Sequence, residues 1–162
     1  MRHGASGTFD INFPLPTTTV TECRTGGAGG NHQLLITFAE AVTVEGVTVT
    51  SSDGMATGTQ SVNGAVVTVD LAAVANAQTV GIMLTNVSNG SGSGNVSIPF
   101  RVLAGDVTPT GSVGSSDIGQ TKSLSGQAVT ASNFRADVNV SGGSISSSDI
   151  GLVKSRSGTV LP

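Results

Sequence analysis

Hydrophobic and polar residues alternate with a period of two along short runs of the first hundred positions. Such alternation places apolar side chains on one face of a β-strand and polar side chains on the other. Asn63-Gly64 and Asp53-Gly54 lie between runs and are typical of tight turns. The pattern therefore predicts an antiparallel β-sandwich over residues 1–104. The predicted strands are Thr8–Phe13, Gln33–Phe38, Val42–Thr50, Ala65–Leu71, Thr79–Val87 and Val96–Leu103.

The pattern changes after these runs, where two copies of one unit follow each other. The first copy contains "SSDIGQTKSLSG" and the second "SSDIGLVKSRSG", with the isoleucine and the lysine at near-helical spacing. We expect a serine to cap each helix, Asp117 and Asp149 to lie in the first turns, and Gly126 and Gly158 to end the helices. Residues 105–162 are thus predicted to form a small α module of two loop–helix repeats.

Separate hydrophobic cores are predicted for the two modules. The sandwich core is expected to contain Phe9, Ile11, Leu35, Ile36, Phe38, Val67, Val69, Ile82 and Leu84. The core of the small module is expected to contain Val113, Ile118, Phe134, Ile145, Ile150 and Val153.

Composition narrows the class of protein. Only 10% of the residues are charged, the net charge is −3, and Trp and Tyr are absent. The low charge and the lack of a basic patch exclude nucleic acid as a predicted partner. No apolar run is long enough to span a membrane, so no membrane span is predicted. A surface rich in Ser, Thr and Gly, with only two lysines, favours an extracellular or cell-surface protein.

The duplicated unit resembles the calcium-binding loop–helix repeat of type I dockerins and the dockerin-like tails of large bacterial surface proteins. A calcium loop of this kind uses oxygens at positions 1, 3, 5, 7 and 12, with a glycine at position 6. In the first copy the resemblance assigns the ligand positions to Asp106, Thr108, Thr110, Ser112 and Asp117. Hydroxyl groups stand at positions 3 and 5, where the family usually has carboxylates.

In the second copy the resemblance assigns positions 1, 3 and 5 to Asp137, Asn139 and Ser141. The closing Asp149 comes one residue late, at position 13. The resemblance implies calcium as the cofactor of both loops. The residues themselves leave a second interpretation open, in which the loops are metal-free and their aspartates cap helices and make turn hydrogen bonds.

The first hundred residues resemble an Ig-like β-sandwich module that commonly precedes dockerin-like tails in secreted proteins of environmental bacteria. The resemblance rests on stretches such as "LLITFAEAVTVEGVTV" and covers most of residues 3–103. It implies a mainly β fold and no catalytic activity.

Catalytic groups are few. Cys23 and His32 could form a nucleophile–base pair, but no third orienting group is recognisable. Glu22, Glu40 and Glu45 could supply a carboxylate pair, but their spacing does not establish one. The sequence therefore predicts that the protein is not an enzyme.

Two kinds of position are candidates for glycan decoration, and the O-linked candidate is favoured because Asn-x-Ser/Thr triplets arise often by chance in a serine-rich chain. Four Asn-x-Ser/Thr triplets begin at Asn86, Asn89, Asn95 and Asn139. The segment Pro16–Thr21 is a candidate for O-linked glycans because it is rich in threonine.

These observations predict an extracellular, calcium-stabilised structural or assembly module that is the repeating subunit of a head-to-tail filament. Its partner would be another copy or a cohesin-like β-sandwich. Assembly could follow from docking of the tail on a neighbouring sandwich, or from addition of the strand Thr8–Phe13 to a neighbouring sheet. The alternatives are the dockerin-bearing C-terminal fragment of a polysaccharide-degrading enzyme and a carbohydrate-binding module. The absence of Trp and Tyr disfavours carbohydrate binding.

Overall fold

Over the described residues the fold is mainly β, with two sheets and two α-helices. A computed structural model describes residues 4–13 and 20–162. Contacts divide the chain into two compact units. Unit 1 contains the described residues of Met1–Gly27 together with Asn76–Gln78 and Arg101–Pro162, and unit 2 contains Ala28–Ala75 and Thr79–Phe100. Neither helix in the described part of the chain is long and apolar enough to cross a membrane.

Seven strands form the two sheets. They are β1 Thr21–Glu22, β2 His32–Thr37, β3 Gly46–Thr50, β4 Thr57–Asn63, β5 Val66–Ala72, β6 Gln78–Ser88 and β7 Ser93–Val102. One sheet has the order β1-β7-β6-β3 and the other has the order β2-β5-β4. The pairings of β2 with β5, β4 with β5 and β3 with β6 are antiparallel, as predicted, whereas β1 pairs with β7 in parallel.

Strand burial follows the predicted alternation. In β5 the side chains of Val67, Val69 and Leu71 are buried, while Asp70 between them is exposed. Gly64 and Ala65 form the two-residue turn that joins β4 to β5, and the predicted turn residue Gly64 has a positive φ of 60°. The prediction of strands in this region is therefore confirmed.

Leu35 and β4 depart from the strand prediction. Leu35 was expected in the core but is 59% exposed, because the alternation in β2 buries His32 and Ile36 and turns Leu35 to the opposite face. The strand β4 was not predicted, because its sequence "TGTQSVN" offers no clear alternation of apolar residues. It lies at the edge of its sheet, where most of its side chains are exposed.

The predicted strand Thr8–Phe13 does not form, and only Thr8 makes an isolated bridge. The ring of Phe9 instead stacks on Phe134, with centroids 5.4 Å apart and planes at 21°. The carbonyl of Phe9 accepts a hydrogen bond of 2.7 Å from Arg24 Nη1. Phe9 is therefore drawn into unit 1 and does not join the predicted sandwich core.

The two helices are α1, Ser115–Ser123, and α2, Ser147–Ser155. Their N-caps are Gly114 and Ser146, so a serine caps only the second helix. Gly126 and Gly158 lie two residues beyond the C-caps rather than at them. Their φ angles of 85° and 89° explain why glycine occupies both positions.

Two separate hydrophobic clusters lie in the described part of unit 1, whereas one core was predicted for the small module. The first consists of Leu103, Val107, Val113, Val138 and Val153, with Ile118 packed against it. The second consists of Val129, Ala136 and Ile145, with Phe9 and Phe134 packed against it. The predicted members Val113, Val153, Phe134 and Ile145 are thus divided between two clusters.

The unit boundaries differ from the predicted division at residues 104 and 105. The N-terminal residues up to Gly27 group with the C-terminal part because β1 pairs with Arg101 and Val102 at the end of β7. A further backbone hydrogen bond of 2.8 Å runs from Thr25 N to Val138 O. The small module is therefore built from both parts of the sequence.

Candidate functional site

Loop 1, residues 106–117, leads into α1 and begins with a fully buried aspartate. Asp106 Oδ1 accepts a hydrogen bond of 2.9 Å from Thr110 N, and its Oδ2 accepts one of 3.0 Å from Gly111 N. A side chain that bonds backbone N–H groups a few residues ahead holds the chain in a tight turn. Gly111 has a φ of 82°, which fits the glycine predicted at position 6.

The second aspartate of loop 1, Asp117, lies in the first turn of α1 and is also fully buried. Its Oδ1 accepts hydrogen bonds from Thr108 N at 3.0 Å and from Thr108 Oγ1 at 2.7 Å. Its Oδ2 accepts a hydrogen bond of 2.8 Å from the N-cap residue Gly114. Asp117 therefore caps the helix and fixes the start of the loop at the same time.

Loop 2, residues 137–149, repeats this arrangement before α2. Asp137 accepts hydrogen bonds from Ser141 N at 3.1 Å and Gly142 N at 2.8 Å. Asp149 accepts hydrogen bonds from Asn139 N at 3.3 Å and from Ser146 N at 2.9 Å. Both aspartates are fully buried, as their counterparts are in loop 1.

The extra residue of loop 2 does not disturb these contacts. The hydrogen bond from Gly142 N to Asp137 spans five residues, as its counterpart does in loop 1, and the bond from Ser146 N to Asp149 spans three, again as in loop 1. The insertion therefore lies between Gly142 and Ser146. Gly142 and Gly143 both have positive φ angles, 71° and 74°, and this backbone accommodates the additional residue.

Each loop pairs with the segment that follows the other helix. Val113 in loop 1 accepts a 2.9 Å hydrogen bond from Gly158 N and donates one of 2.9 Å to Thr159 O. Ile145 in loop 2 accepts a 2.8 Å hydrogen bond from Gly126 N and donates one of 2.9 Å to Gln127 O. The two copies are thus related by a reciprocal exchange of backbone hydrogen bonds.

The predicted ligand residues are only partly brought together. In loop 1 Thr108 contacts Asp117, and Thr110 Oγ1 donates a 3.1 Å hydrogen bond to Ser112 O. In loop 2 Ser141 lies beside Asp137, whereas the amide of Asn139 donates to Ser148 Oγ at 2.8 Å. Within residues 4–13 and 20–162, no group of three or more His, Cys, Asp or Glu side chains is placed to hold a metal ion.

Sequence reasoning missed a buried ion pair in unit 1. Arg24 is 1% exposed and Glu22 is 4% exposed. Glu22 receives two side-chain hydrogen bonds of 2.7 Å, from Nε and Nη2 of Arg24. The guanidinium of Arg24 also lies over the ring of Phe134, 5.2 Å from its centroid.

Burial and the bidentate partner have opposite effects on the pKa of Arg24. Burial alone would lower the pKa of Arg24, but the hydrogen bond and the negative charge of Glu22 raise it above its ordinary value. The available signal was the close spacing of two opposite charges, Glu22 and Arg24, in a chain where only 10% of the residues are charged. β1 ends at Glu22, so the pairing depends on the bend at Arg24 and does not follow from strand alternation.

Arg135 links several segments of unit 1 through backbone carbonyls. Its Nη2 donates to Thr21 O at 3.2 Å and Asp106 O at 3.1 Å, and its Nε donates to Val107 O at 3.2 Å. It therefore ties the first residue of loop 1 to β1 and to the segment before loop 2.

The candidate nucleophile Cys23 is fully buried. Burial raises its pKa from 9.0 to about 12, although the charge of Arg135 acts in the opposite direction. Its Sγ donates to Arg135 O at 3.4 Å. A thiol in this state does not provide a thiolate near neutral pH. Of the candidate carboxylates, Glu22 is engaged by Arg24 and Glu40 by Asn89.

Unit 2 has an open cleft of about 540 Å³, lined by Phe38, Ala39, Glu40, Val42, Val87, Asn89, Gly92 and Ser93. Its polar side chains bond one another, since Asn89 Nδ2 donates to Glu40 Oε2 at 3.1 Å. Asn89 Oδ1 also accepts from the N–H groups of Ser91 and Gly92, at 3.1 and 3.2 Å. The cleft therefore presents few unengaged polar groups to a ligand.

The candidate glycan positions differ in accessibility. Asn86, Asn89 and Asn95 are exposed and Asn139 is half-buried, and the side-chain amides of Asn89 and Asn139 already donate hydrogen bonds. In the O-glycan candidate Pro16–Thr21, the first four residues lie outside the described residues and Thr21 is fully buried.

Comparison with protein-family models, with curated proteins and with solved structures gives no match for this chain.

Proposed function

We propose that the chain is a non-catalytic assembly module of an extracellular or cell-surface protein, in which an Ig-like β-sandwich is combined with a dockerin-like pair of loop–helix repeats. The observation that carries this proposal is the duplication within unit 1. Two loops of the same hydrogen-bond pattern precede two helices of the same length and exchange backbone hydrogen bonds.

Because of the duplication, α1 and α2 expose the same kinds of side chain. Exposed residues occur at equivalent positions of the helices, Ser116, Gly119 and Lys122 in α1 and Ser148, Gly151 and Lys154 in α2. The two lysines are the only ones in the sequence. A partner that recognises one helix face would therefore find a second, nearly identical face on the same molecule.

The chemistry of the described residues supports binding rather than turnover. The buried thiol of Cys23 has a pKa of about 12, and Glu22 is held by a buried arginine. The four loop aspartates are fully buried. None of these groups is presented to a substrate.

Self-assembly is the form of the proposal that one purified chain can test. Docking of the helix face on the β-sandwich of another copy is a heterologous contact, which repeats without closing. The alternative route by strand addition has lost its basis, because Phe9 packs within unit 1 and Thr8–Phe13 is not a strand.

The test is analytical ultracentrifugation of the full chain over a wide concentration range, followed by negative-stain imaging. We expect concentration-dependent oligomers or filaments. The double variant Lys122→Glu/Lys154→Glu should abolish them, because it reverses the charge of both helix faces. The matched control Lys122→Arg/Lys154→Arg keeps the charge of both helix faces and should assemble normally. A monomer at every concentration would refute self-assembly, and unchanged assembly of the double variant would refute the helix faces as the contact.

A further inference from the structure

The dockerin resemblance implies a calcium ion in each loop, so the oxygen ligands that calcium requires are compared with the oxygens that the loops offer. Calcium takes six to eight oxygen ligands, and the last loop position supplies a bidentate carboxylate. In loop 1 that carboxylate is Asp117, and both of its oxygens already accept hydrogen bonds, from Thr108 N at 3.0 Å, Thr108 Oγ1 at 2.7 Å and Gly114 N at 2.8 Å. The oxygens needed for a bidentate contact are thus directed at protein donors.

The side chains at positions 3 and 5 have changed their chemical role. A carboxylate at either position can only accept, and it needs a cation between itself and the other carboxylates. A threonine hydroxyl can donate, and Thr108 Oγ1 donates directly to Asp117 Oδ1 at 2.7 Å. Thr110 Oγ1 donates to Ser112 O at 3.1 Å, the carbonyl that would be the position-7 ligand. Two hydroxyl protons therefore point at oxygens that would otherwise face the metal.

Loop 2 has the same character with different residues. Ser146 Oγ donates to Asp149 Oδ2 at 2.8 Å, in addition to the backbone bond from Ser146 N at 2.9 Å. Asp137 accepts from Ser141 Oγ at 3.4 Å and from Gly142 N at 2.8 Å. In each loop the oxygens of two carboxylates thus accept hydrogen bonds from N–H and O–H groups. A calcium ion would need these same oxygens as ligands, so the residues of the loops do not fit a calcium ion.

We infer that hydrogen bonds from backbone amides and from Thr108 and Ser146 replace calcium in closing the two loops, so that residues 101–162 fold without a metal. A carboxylate that accepts two or three N–H or O–H bonds is well stabilised as an anion without a cation. The inference contradicts the calcium stabilisation predicted from the sequence. It goes beyond the proposed assembly function, which the oligomeric state measures independently.

The first experiment compares the full chain in a calcium chelator with the full chain in excess calcium. We expect the same melting temperature by circular dichroism, the same amide exchange in residues 101–162, and no binding heat on titration with calcium chloride. A ligand that binds only the folded state raises the melting temperature by mass action. A rise with calcium, or a saturable heat, would overturn the inference whether or not the chain assembles.

The second experiment tests the replacement itself with two opposite changes in loop 1. Thr108→Val removes the hydroxyl at nearly constant volume, and we expect amide exchange in loop 1 to become at least about tenfold faster, with or without calcium. Thr108→Asp/Thr110→Asp restores carboxylates at positions 3 and 5, and we expect the melting temperature to fall in chelator and to recover with calcium. Unchanged exchange in the valine variant, or no calcium response in the aspartate variant, would contradict the inference.

Ser112→Ala is the matched control, because it keeps the backbone carbonyl that accepts from Thr110 Oγ1 at 3.1 Å and removes only a hydroxyl that lies 3.3 Å from the same atom. It should leave both the exchange of loop 1 and its indifference to calcium unchanged.

Discussion

Replacement of Glu22 by glutamine tests whether the buried ion pair stabilises unit 1. The change keeps the size and shape of the side chain and removes its charge. Glu22 accepts hydrogen bonds of 2.7 Å from Nε and from Nη2 of Arg24 and one of 3.0 Å from Arg24 N. Glutamine has only one side-chain oxygen that can accept a hydrogen bond, and its NH₂ group would face an N–H donor of Arg24.

The expected cost follows from the burial of the partner. Arg24 is 1% exposed, so its charge would stay in the interior without a counter-charge. Removal of one partner from a buried pair costs about 3–5 kcal/mol. For a chain of this size, 1 kcal/mol corresponds to roughly 2–4 °C in melting temperature, so we expect a decrease of about 6–20 °C.

The assay has to distinguish the two units. Intrinsic Trp or Tyr fluorescence is not an option, since the sequence contains neither residue. Urea unfolding followed by circular dichroism gives the overall loss, and hydrogen exchange with mass spectrometry locates it. Faster exchange should be concentrated in the segments around Phe9, Arg24 and Phe134, which contact one another.

Two further variants make the outcome decisive. Glu45→Gln removes an exposed carboxylate and should change the stability by no more than about 0.5 kcal/mol. Glu22→Leu/Arg24→Met replaces both charges by apolar groups and should recover much of the loss, because the uncompensated charge is gone. If Glu22→Gln costs no more than the Glu45 control, the pair is not desolvated and the reasoning is wrong.

Three other predictions concern backbone strain and the thiol. Val140 has a φ of 58°, so Val140→Gly should stabilise the protein by about 0.5–1 kcal/mol in urea unfolding, whereas Val160→Gly should not. Gly30 has a φ of 59°, and a Cβ there would lie 2.5 Å from a backbone oxygen. Gly30→Ala should therefore cost at least about 2 kcal/mol, clearly more than Gly54→Ala in open space. Cys23 should resist thiol reagents until the protein unfolds. Its folded pKa of about 12 exceeds the ordinary 9.0, so its contribution to stability is complete below pH 9. That contribution should fall by about 1.4 kcal/mol per pH unit above pH 9, a slope that Cys23→Ala should remove.

The sequence predicted the strands of unit 2 because their burial is set by alternation alone. Val67, Val69 and Leu71 lie on the inner face where a period of two places them. It failed for β4, because an edge strand with exposed side chains needs no apolar face. It failed for Thr8–Phe13 because Phe9 has a better partner in Phe134, which is distant in sequence.

The candidate site shows the same division between local and long-range information. The sequence left two interpretations open for the loop aspartates. They could bind calcium, or they could cap helices and hold turns, and their spacing fits both. The metal-free interpretation that we infer rests on donor directions, such as the 2.7 Å hydrogen bond from Thr108 Oγ1 to Asp117, which depend on the folded loop. The exchange between Val113 and Thr159 joins separate copies and leaves no trace in either copy alone.

The reciprocal pairing of the loops has a consequence for the order in which the chain folds. Loop 1 is complete only when Val113 has bonded Gly158 and Thr159, and when Leu161 N has bonded Gly111 O at 3.0 Å. Thr25 N likewise cannot make its hydrogen bond to Val138 O until Val138 has been synthesised. During synthesis the strands of unit 2 are finished first, so we expect an intermediate in which they are paired while both flanking segments are still unstructured. In that intermediate we expect Arg24 to be hydrated, because the ring of Phe134 that covers its guanidinium lies in the part of the chain that is made later.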